Sequence, residues 1–287
     1  MATGLTYRRA IRELADLLGL ERTEAAVYEH RRSADPAEYA SRLLQATGTE
    51  WLLVDNGFPP RAESTSWDEL GELAGCEARP VLRIERIEEE LGDLDAVRAE
   101  VAGARAGGFV ALKTIAAYRG GLEQVGETLP AALEANEATG EPLPVQVHTG
   151  FGDSDLFMPR ADPGYLKPLV ERFQETSFVL LHCYPFVREA GWLAHVYGNV
   201  FFDLSLTIPH VSRAGEAVRE ALELAPVSKL LYASDAARAP ELYYLAGKWS
   251  REALADVLVE TLELEEAGDA GRAILRENAL ALYGLDA

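Results

Sequence analysis

Two apolar segments of the chain end on histidine, the side chain best suited to bind a transition metal or to exchange a proton near neutral pH. They are VQVH, which ends at His148, and FVLLH, which ends at His182. Two further apolar segments, FVALKT and LLYASD, carry Lys113 and Asp235 near their ends. Neutral imidazole nitrogens and a carboxylate oxygen are donors that Zn²⁺ accepts. These residues therefore predict one shared metal site; the alternative is that each histidine is a core residue with a backbone partner.

The hydrophobic pattern indicates the elements that must position these residues. Seven short apolar runs, most of them about 30 residues apart, have the spacing of repeated βα units. The runs lack strict alternation, which predicts parallel strands buried on both faces. No glycine-rich phosphate loop follows the first run, so an α/β barrel is predicted rather than a doubly wound sheet. The carboxyl ends of barrel strands meet on one face, where the strand-end residues would gather. These are Asp55, Glu85, Lys113, His148, His182, Asp203 and Asp235.

Length, charge and cysteine content restrict the class of protein. The 287 residues fit one barrel domain, predicted over residues 1–287. The formal net charge of −20 disfavours nucleic acid and anionic membranes as partners. Cys76 and Cys183 lack the spacing of a disulfide framework or a zinc ribbon. The N-terminus has the pattern of an amphipathic helix, and no segment is apolar enough for a signal peptide or a membrane span. A cytoplasmic protein that acts on a small molecule is predicted.

Lys113 has three open roles. It could neutralise the surrounding carboxylates, form a Schiff base with a carbonyl substrate, or carry CO₂ as a carbamate that bridges two metals. A salt-bridged lysine at the barrel mouth is the plain alternative.

Two other nucleophiles, a cysteine and a serine, are disfavoured. Alternation along a strand would direct Cys183 away from His182, and the chain has no Gly-x-Ser-x-Gly elbow for a serine hydrolase.

The loops after the predicted strands supply candidate substrate-binding residues. Tyr118 and Arg119 follow Lys113 in AAYRGG, where an arginine could bind a substrate carboxylate in a bidentate manner. Arg160 lies in the long loop after His148, whose Gly, Asp and aromatic content is typical of a flap over a barrel mouth. His210 lies beyond the strand that carries Asp203 and could also reach the site. Arg119 and Arg160 have an alternative interpretation as ordinary surface residues.

The chain resembles the amidohydrolase superfamily in six segments that occur in the family's order: ALKTIAAYRGGL, PVQVHTGFGDSD, FVLLHCYPF, NVFFDLSL, KLLYASDA and ENALALYGL. The similar branch is the metal-dependent, amidohydrolase-related one (amidohydrolase 2), which includes domains fused to glutamine-synthetase-like domains. The resemblance implies a (β/α)8 barrel with Lys113, His148, His182 and Asp235 around one or two divalent ions, zinc first and manganese second. It also implies that Asp235 shuttles a proton for a metal-bound water that attacks an amide, ester or ring carbon–nitrogen bond.

The chain departs from the family's pattern at one place. The family's first strand ends in His-x-His, which supplies two metal ligands, and no two of the five histidines here have that spacing. The chain opens on TGLTYRRAIREL, similar to the helical segment between the family's first and second strands. We therefore expect a TIM-type barrel with seven of its eight strands. The open explanations are a shortened N-terminus, which is preferred, a natural seven-stranded barrel, or a strand supplied by another chain. Exposed edges would make a homodimer plausible.

The predicted function is that of a metal-dependent hydrolase acting on a C–N or ester bond of a small, carboxylate-bearing molecule. His182 and Asp235 are the predicted catalytic residues. Two imidazoles and one carboxylate still allow a mononuclear site, because three protein ligands plus water serve catalytic zinc. A non-oxidative decarboxylase of the same superfamily is the alternative enzyme. A metal-free binding or scaffold protein is the alternative from another class.

Overall fold

A parallel sheet forms the centre of the protein. The structure, a computed structural model, describes residues 4–286 except 56 and 58–63. Within them seven parallel strands form one sheet whose spatial order follows the sequence. Helices connect the strands, so the sheet curls as in a (β/α) barrel. The predicted seven-stranded α/β architecture is confirmed. The strands are β1 Trp51–Asp55, β2 Glu77–Arg83, β3 Ala111–Thr114, β4 Val145–His148, β5 Phe178–Leu181, β6 Val200–Asp203 and β7 Leu230–Leu231.

The helices surround the sheet and also close its inner side. They are α1 Leu5–Leu18, α2 Glu24–Ser33, α3 Pro36–Gln45, α4 Trp67–Ala74, α5 Ile84–Leu91, α6 Leu94–Gly103, α7 Thr128–Ala138, α8 Lys167–Arg172, α9 Val187–Val196, α10 Ala214–Leu222, α11 Pro240–Leu258, α12 Leu264–Arg272 and α13 Asn278–Tyr283. The amphipathic N-terminal helix predicted from the sequence is α1. Helix α11 begins at Pro240, because proline is well tolerated in the first turn of a helix. No helix among the described residues has the length and apolar character needed to span a membrane.

The inner face of the sheet has a small apolar layer beneath its carboxyl end. This layer contacts Tyr283 of α13, whose hydroxyl oxygen accepts a hydrogen bond from Gln146 Nε2 at 3.1 Å. Side chains two residues apart on a strand share a face. The strands therefore place Arg83 and Lys113 above this layer, directly beyond Val81 and Ala111. The layer consists of Val81, Ala111, Val179, Leu181 and Leu231.

The outer face of the sheet packs against the helices in the main core. Its largest fully buried members include Trp249, Phe178 and Phe202. Burial of each such side chain contributes about 1.5–3 kcal/mol before conformational entropy is subtracted.

Asn136, near the end of α7, fixes the position of the segment that leads into β4. Its Nδ2 donates to the Leu143 carbonyl oxygen and its Oδ1 accepts from the Leu143 N–H, both at 2.9 Å.

Three strand ends differ from the prediction. Glu85 lies in the first turn of α5 and not at the end of β2. His182 follows β5 by one residue, and Asp235 lies four residues beyond the short β7. Both residues have positive φ, 68° for His182 and 44° for Asp235, which a continuing strand does not allow. Their direction is thus set by tight turns and not by strand alternation.

Candidate active site

His148 and His182 lie side by side above the inner face. Their ring centroids are 4.6 Å apart, with an interplanar angle of 62°. Both side chains are buried, and His148 Nε2 has no hydrogen-bond partner among the described residues. Burial, with His182 and Lys113 nearby, lowers the pKa of His148 from 6.5 to about 2. Burial and Lys113 also hold the pKa of His182 well below its usual value. Both imidazoles are therefore neutral at pH 7, the form that binds a metal.

His182 is held by groups at the end of β6 and in the turn after it. Asp203 Oδ1 accepts the His182 backbone N–H at 2.8 Å and the Ser205 hydroxyl at 2.7 Å. The Ser205 Oγ in turn lies 2.8 Å from His182 Nδ1, and the Thr207 hydroxyl donates to the His182 carbonyl oxygen at 2.6 Å. These contacts occupy Nδ1 and leave Nε2 facing the site, where Asp235 Oδ2 lies 3.8 Å away.

Asp235 is the more open member of the group. Its side chain is 34% exposed, whereas that of His182 is 1% exposed. Burial of the carboxyl raises the pKa of Asp235, although Lys113 and His148 act in the opposite direction. A carboxylate that lies beside His182 and still reaches solvent can accept a proton within the site and release it outward.

Lys113 belongs to a buried cluster of charges at the ends of β1, β2 and β3. Its Nζ lies 3.3 Å from Asp55 Oδ2, and Asp55 also binds Arg83 through Nε and Nη2. All three side chains are at most 16% exposed. Burial raises the pKa of Asp55, but Lys113 and Arg83 outweigh it and the net shift is downward. Asp55 is therefore ionised and holds both cations.

Tyr118 covers one side of His148. The ring centroids of the two residues are 4.7 Å apart, and the Tyr118 hydroxyl accepts the Asp153 N–H at 3.0 Å. The segment that leads to Tyr118 is tied to α5, because Glu85 Oε1 accepts from the Thr114 hydroxyl and from the Ile115 N–H. Glu85 therefore connects α5 to the segment that follows β3 and lies outside the group around the histidines.

The remaining predicted substrate-binding residues lie at the rim. Arg119 pairs with Glu89 and Arg160 pairs with Glu123, and all four side chains are about half exposed. His210 is exposed, and its ring packs against Phe151 at 5.7 Å. The structure therefore brings Lys113, His148, His182, Asp235 and Tyr118 together but leaves the two arginines in surface ion pairs.

Cys183 does not form a nucleophile pair with His182. It is fully buried, and its Sγ lies 3.4 Å from the Leu180 carbonyl oxygen. Burial raises the pKa of the thiol well above its usual value, with Asp203 acting in the same direction. The thiolate that nucleophilic attack requires is therefore strongly disfavoured.

Sequence reasoning missed Arg83 and the role of Ser205. A signal for Arg83 was present, because an arginine within an otherwise apolar strand two residues before its predicted end must face the same side as that end. Ser205 had no comparable signal, since its contact with His182 depends on the turn after β6.

The fold and this group of residues define a barrel protein whose candidate site lies at the carboxyl ends of its strands, as in enzymes of that architecture. Residues 90–285 match the family model described as Amidohydrolase. The chain belongs to this amidohydrolase family, which confirms the resemblance seen in the motifs.

Individual relatives agree with this assignment. Over 162 residues the chain is 41% identical to protein fluG of Emericella nidulans; the match covers 54% of this chain and 19% of that much longer protein. A solved structure from Lactobacillus casei, described as a metal-dependent hydrolase, has 30% identity and a TM-score of 0.82, covering 99% of this chain and 85% of that one. A uronate isomerase from Bacillus halodurans has 16% identity and a TM-score of 0.72, covering 98% and 77%. The latter likeness shows the fold alone.

Proposed function

We propose that this protein is a metal-dependent hydrolase that cleaves an amide, ring carbon–nitrogen or ester bond of a small molecule. The observation that carries the proposal is the pair of neutral, buried histidines with Asp235 3.8 Å from His182 Nε2. Family membership and the description of the Lactobacillus casei relative support the same class of reaction.

The donor set suits a divalent metal. The buried His148 Nε2 without a described partner is the strongest sign, because a buried polar atom without a partner is costly. We propose His148, His182 and Asp235 as ligands, with zinc first and manganese second, and one or two ions. No three such side chains among the described residues already stand in a metal-binding arrangement, so binding would draw them together. A bound ion would supply Lewis-acid activation of water and of the scissile bond.

The chain's own residues would divide the remaining work. Asp235, which reaches solvent, would accept the proton of the attacking water and return it to the leaving group. Ser205 and Asp203 would hold His182 in one orientation and tautomer. The ion pair with Asp55 supports the charge-balancing role for Lys113 among those left open by the sequence.

The proposal also concerns the residues that would bind the substrate. Tyr118, Arg119, Arg160 and His210 stay predicted substrate-binding residues. A substrate carboxylate would have to displace Glu89 or Glu123 from its arginine, a small cost for an exposed pair. The single-domain organisation, the cytoplasmic location and the homodimer also stay predictions.

Metal content tests the proposal directly. We would measure zinc and manganese per chain in the parent protein, in a variant with His148→Ala and Asp235→Ala, and in a matched His195→Ala control. His195 is exposed and lies on α9, away from the site. Stoichiometric metal in the parent and control, but not in the double variant, is expected. A folded parent that stays metal-free after loading would contradict the proposal and favour a binding protein.

A further inference from the structure

The loop after β4, residues 150–161, is closed at its base. The Gly150 N–H donates to the Ala161 carbonyl oxygen at 2.9 Å, so the two ends of the loop meet. The Phe151 N–H donates to the Tyr184 carbonyl oxygen at 2.7 Å, which joins the base to the loop after β5. Gly150 has φ of 68°, and a Cβ there would lie 2.3 Å from the same Tyr184 oxygen. The base is therefore fixed, and movement must occur farther along the loop.

Gly152, which follows the fixed base of this loop, lies on His148. A Cβ added to Gly152 would lie 1.8 Å from Tyr118 Oη and 3.0 Å from His148 Nε2. The Gly152 main chain thus covers the imidazole nitrogen that has no described partner. The next residue, Asp153, donates its N–H to Tyr118 Oη at 3.0 Å.

Much of the tip of the loop is exposed to solvent. Four residues of the tip are exposed, and Phe157 is 63% exposed; the four are Asp153, Ser154, Asp155 and Phe157. Leu156 packs on the main core, and Arg160 pairs with exposed Glu123. The hydrogen bond from Asp153 to Tyr118 is therefore the contact that joins the exposed start of the tip to the residues around His148. A segment with few buried contacts opens at low free-energy cost.

We propose that Tyr118 acts as a latch: its hydroxyl holds the loop of residues 150–161 over His148, and release of Asp153 exposes His148 Nε2. Tyr118 is thus a positioning residue that controls access to the site. The inference concerns access alone and holds whether or not the proposed hydrolase function is correct.

Labelling of histidine in the full chain, dialysed against EDTA, tests the latch. Diethyl pyrocarbonate modifies accessible neutral imidazoles, and peptide mass mapping gives the rate at each histidine. In Tyr118→Phe the ring still packs on His148, but the hydroxyl acceptor is gone. We expect labelling of His148 and amide hydrogen exchange at Asp153 to rise about fivefold, the change that loss of one such hydrogen bond produces.

Two controls separate local from global opening. Tyr197→Phe removes a tyrosine hydroxyl that bonds Glu171 at 2.8 Å on the surface, and it should leave the rate at His148 unchanged. Exposed His195 serves as the internal reference. Unchanged labelling of His148 in Tyr118→Phe, relative to His195, would overturn the latch, and so would an equal rise in amide hydrogen exchange in the buried strand β5.

A second variant tests the same contact from the other side. Gly152→Ala places a methyl group where Tyr118 Oη lies, so it should raise His148 labelling on its own. In the Tyr118→Phe background the 1.8 Å contact with Oη is absent and the shortest approach becomes 2.9 Å to Cζ, so Gly152→Ala should add less. Independent, additive effects of the two substitutions would contradict a shared latch.

Discussion

Among single residues, Asp55 has the strongest electrostatic role in the buried end of the sheet. It holds Arg83 and Lys113, and all three side chains are largely buried. Asp55→Asn would leave two buried cations without their carboxylate. We expect the free energy of unfolding to fall by about 3–5 kcal/mol, measured by urea denaturation.

The matched control for this substitution is Glu29→Gln, which breaks the exposed pair between Glu29 and Arg32. An exposed pair contributes no more than about 1 kcal/mol. If both variants lost the same free energy of unfolding, the buried cluster would contribute no more to stability than an exposed ion pair.

The lowered pKa of His148 predicts that the stability of the fold depends on pH. Its pKa is about 2 in the folded chain and 6.5 in the unfolded reference, so the unfolded state binds more protons between these values. Stability should therefore fall as pH falls below 6.5, by up to about 1.4 kcal/mol per pH unit for this residue. His182, whose pKa is also lowered, adds to the slope.

Urea denaturation of the metal-free chain from pH 6.5 to 5 measures this slope. His148→Gln should remove one histidine's share and leave that of His182. A slope that is the same in parent and variant would show that His148 is not held neutral.

At the scale of elements, Asn136 connects α7 to the start of β4. Its side chain is buried and satisfies both backbone groups of Leu143. Asn136→Ala would leave a buried N–H and a buried C=O without partners, and we expect a loss of about 1–3 kcal/mol in thermal or urea unfolding. Thr139→Ala removes a part-buried hydroxyl that donates to the Asn136 carbonyl oxygen and accepts the exposed Glu141 N–H, and it should cost less.

The same scale shows which features the sequence could predict. Runs such as VQVH and FVLL identified strands because parallel strands buried on both faces need continuous apolar residues. Their ends were less certain. His182 and Asp235 point into the site through positive-φ turns, and alternation cannot predict the direction of a side chain after such a turn. The contact of Asp203 with the His182 N–H joins residues 21 positions apart, which no local pattern indicates.

For the whole molecule, the two edges of the sheet suggest association. In the described residues β1 pairs with β2 alone and β7 pairs with β6 alone. Open parallel edges favour contact with another chain. We expect light scattering to give a mass of twice 31.3 kDa at physiological salt.

The net charge of each chain predicts that dimer formation depends on salt, which gives a second test of the homodimer. Two copies that each carry −20 repel one another, and salt screens that repulsion. The dimer fraction should therefore rise between about 0.01 M and 0.15 M ionic strength. A mass of 31.3 kDa at every concentration and salt level would contradict the homodimer.

The buried position of Cys183 makes its thiol a natural reporter of opening at the site. The structure describes two free thiols, a half-buried Cys76 before β2 and a fully buried Cys183 next to His182. Alkylating reagents attack thiolates, so at neutral pH they should modify Cys76 first and Cys183 only in molecules whose strand ends have opened. The ratio of the two alkylation rates would therefore follow opening of the site in the unlabelled natural sequence, with Cys76 as the reference within the same molecule.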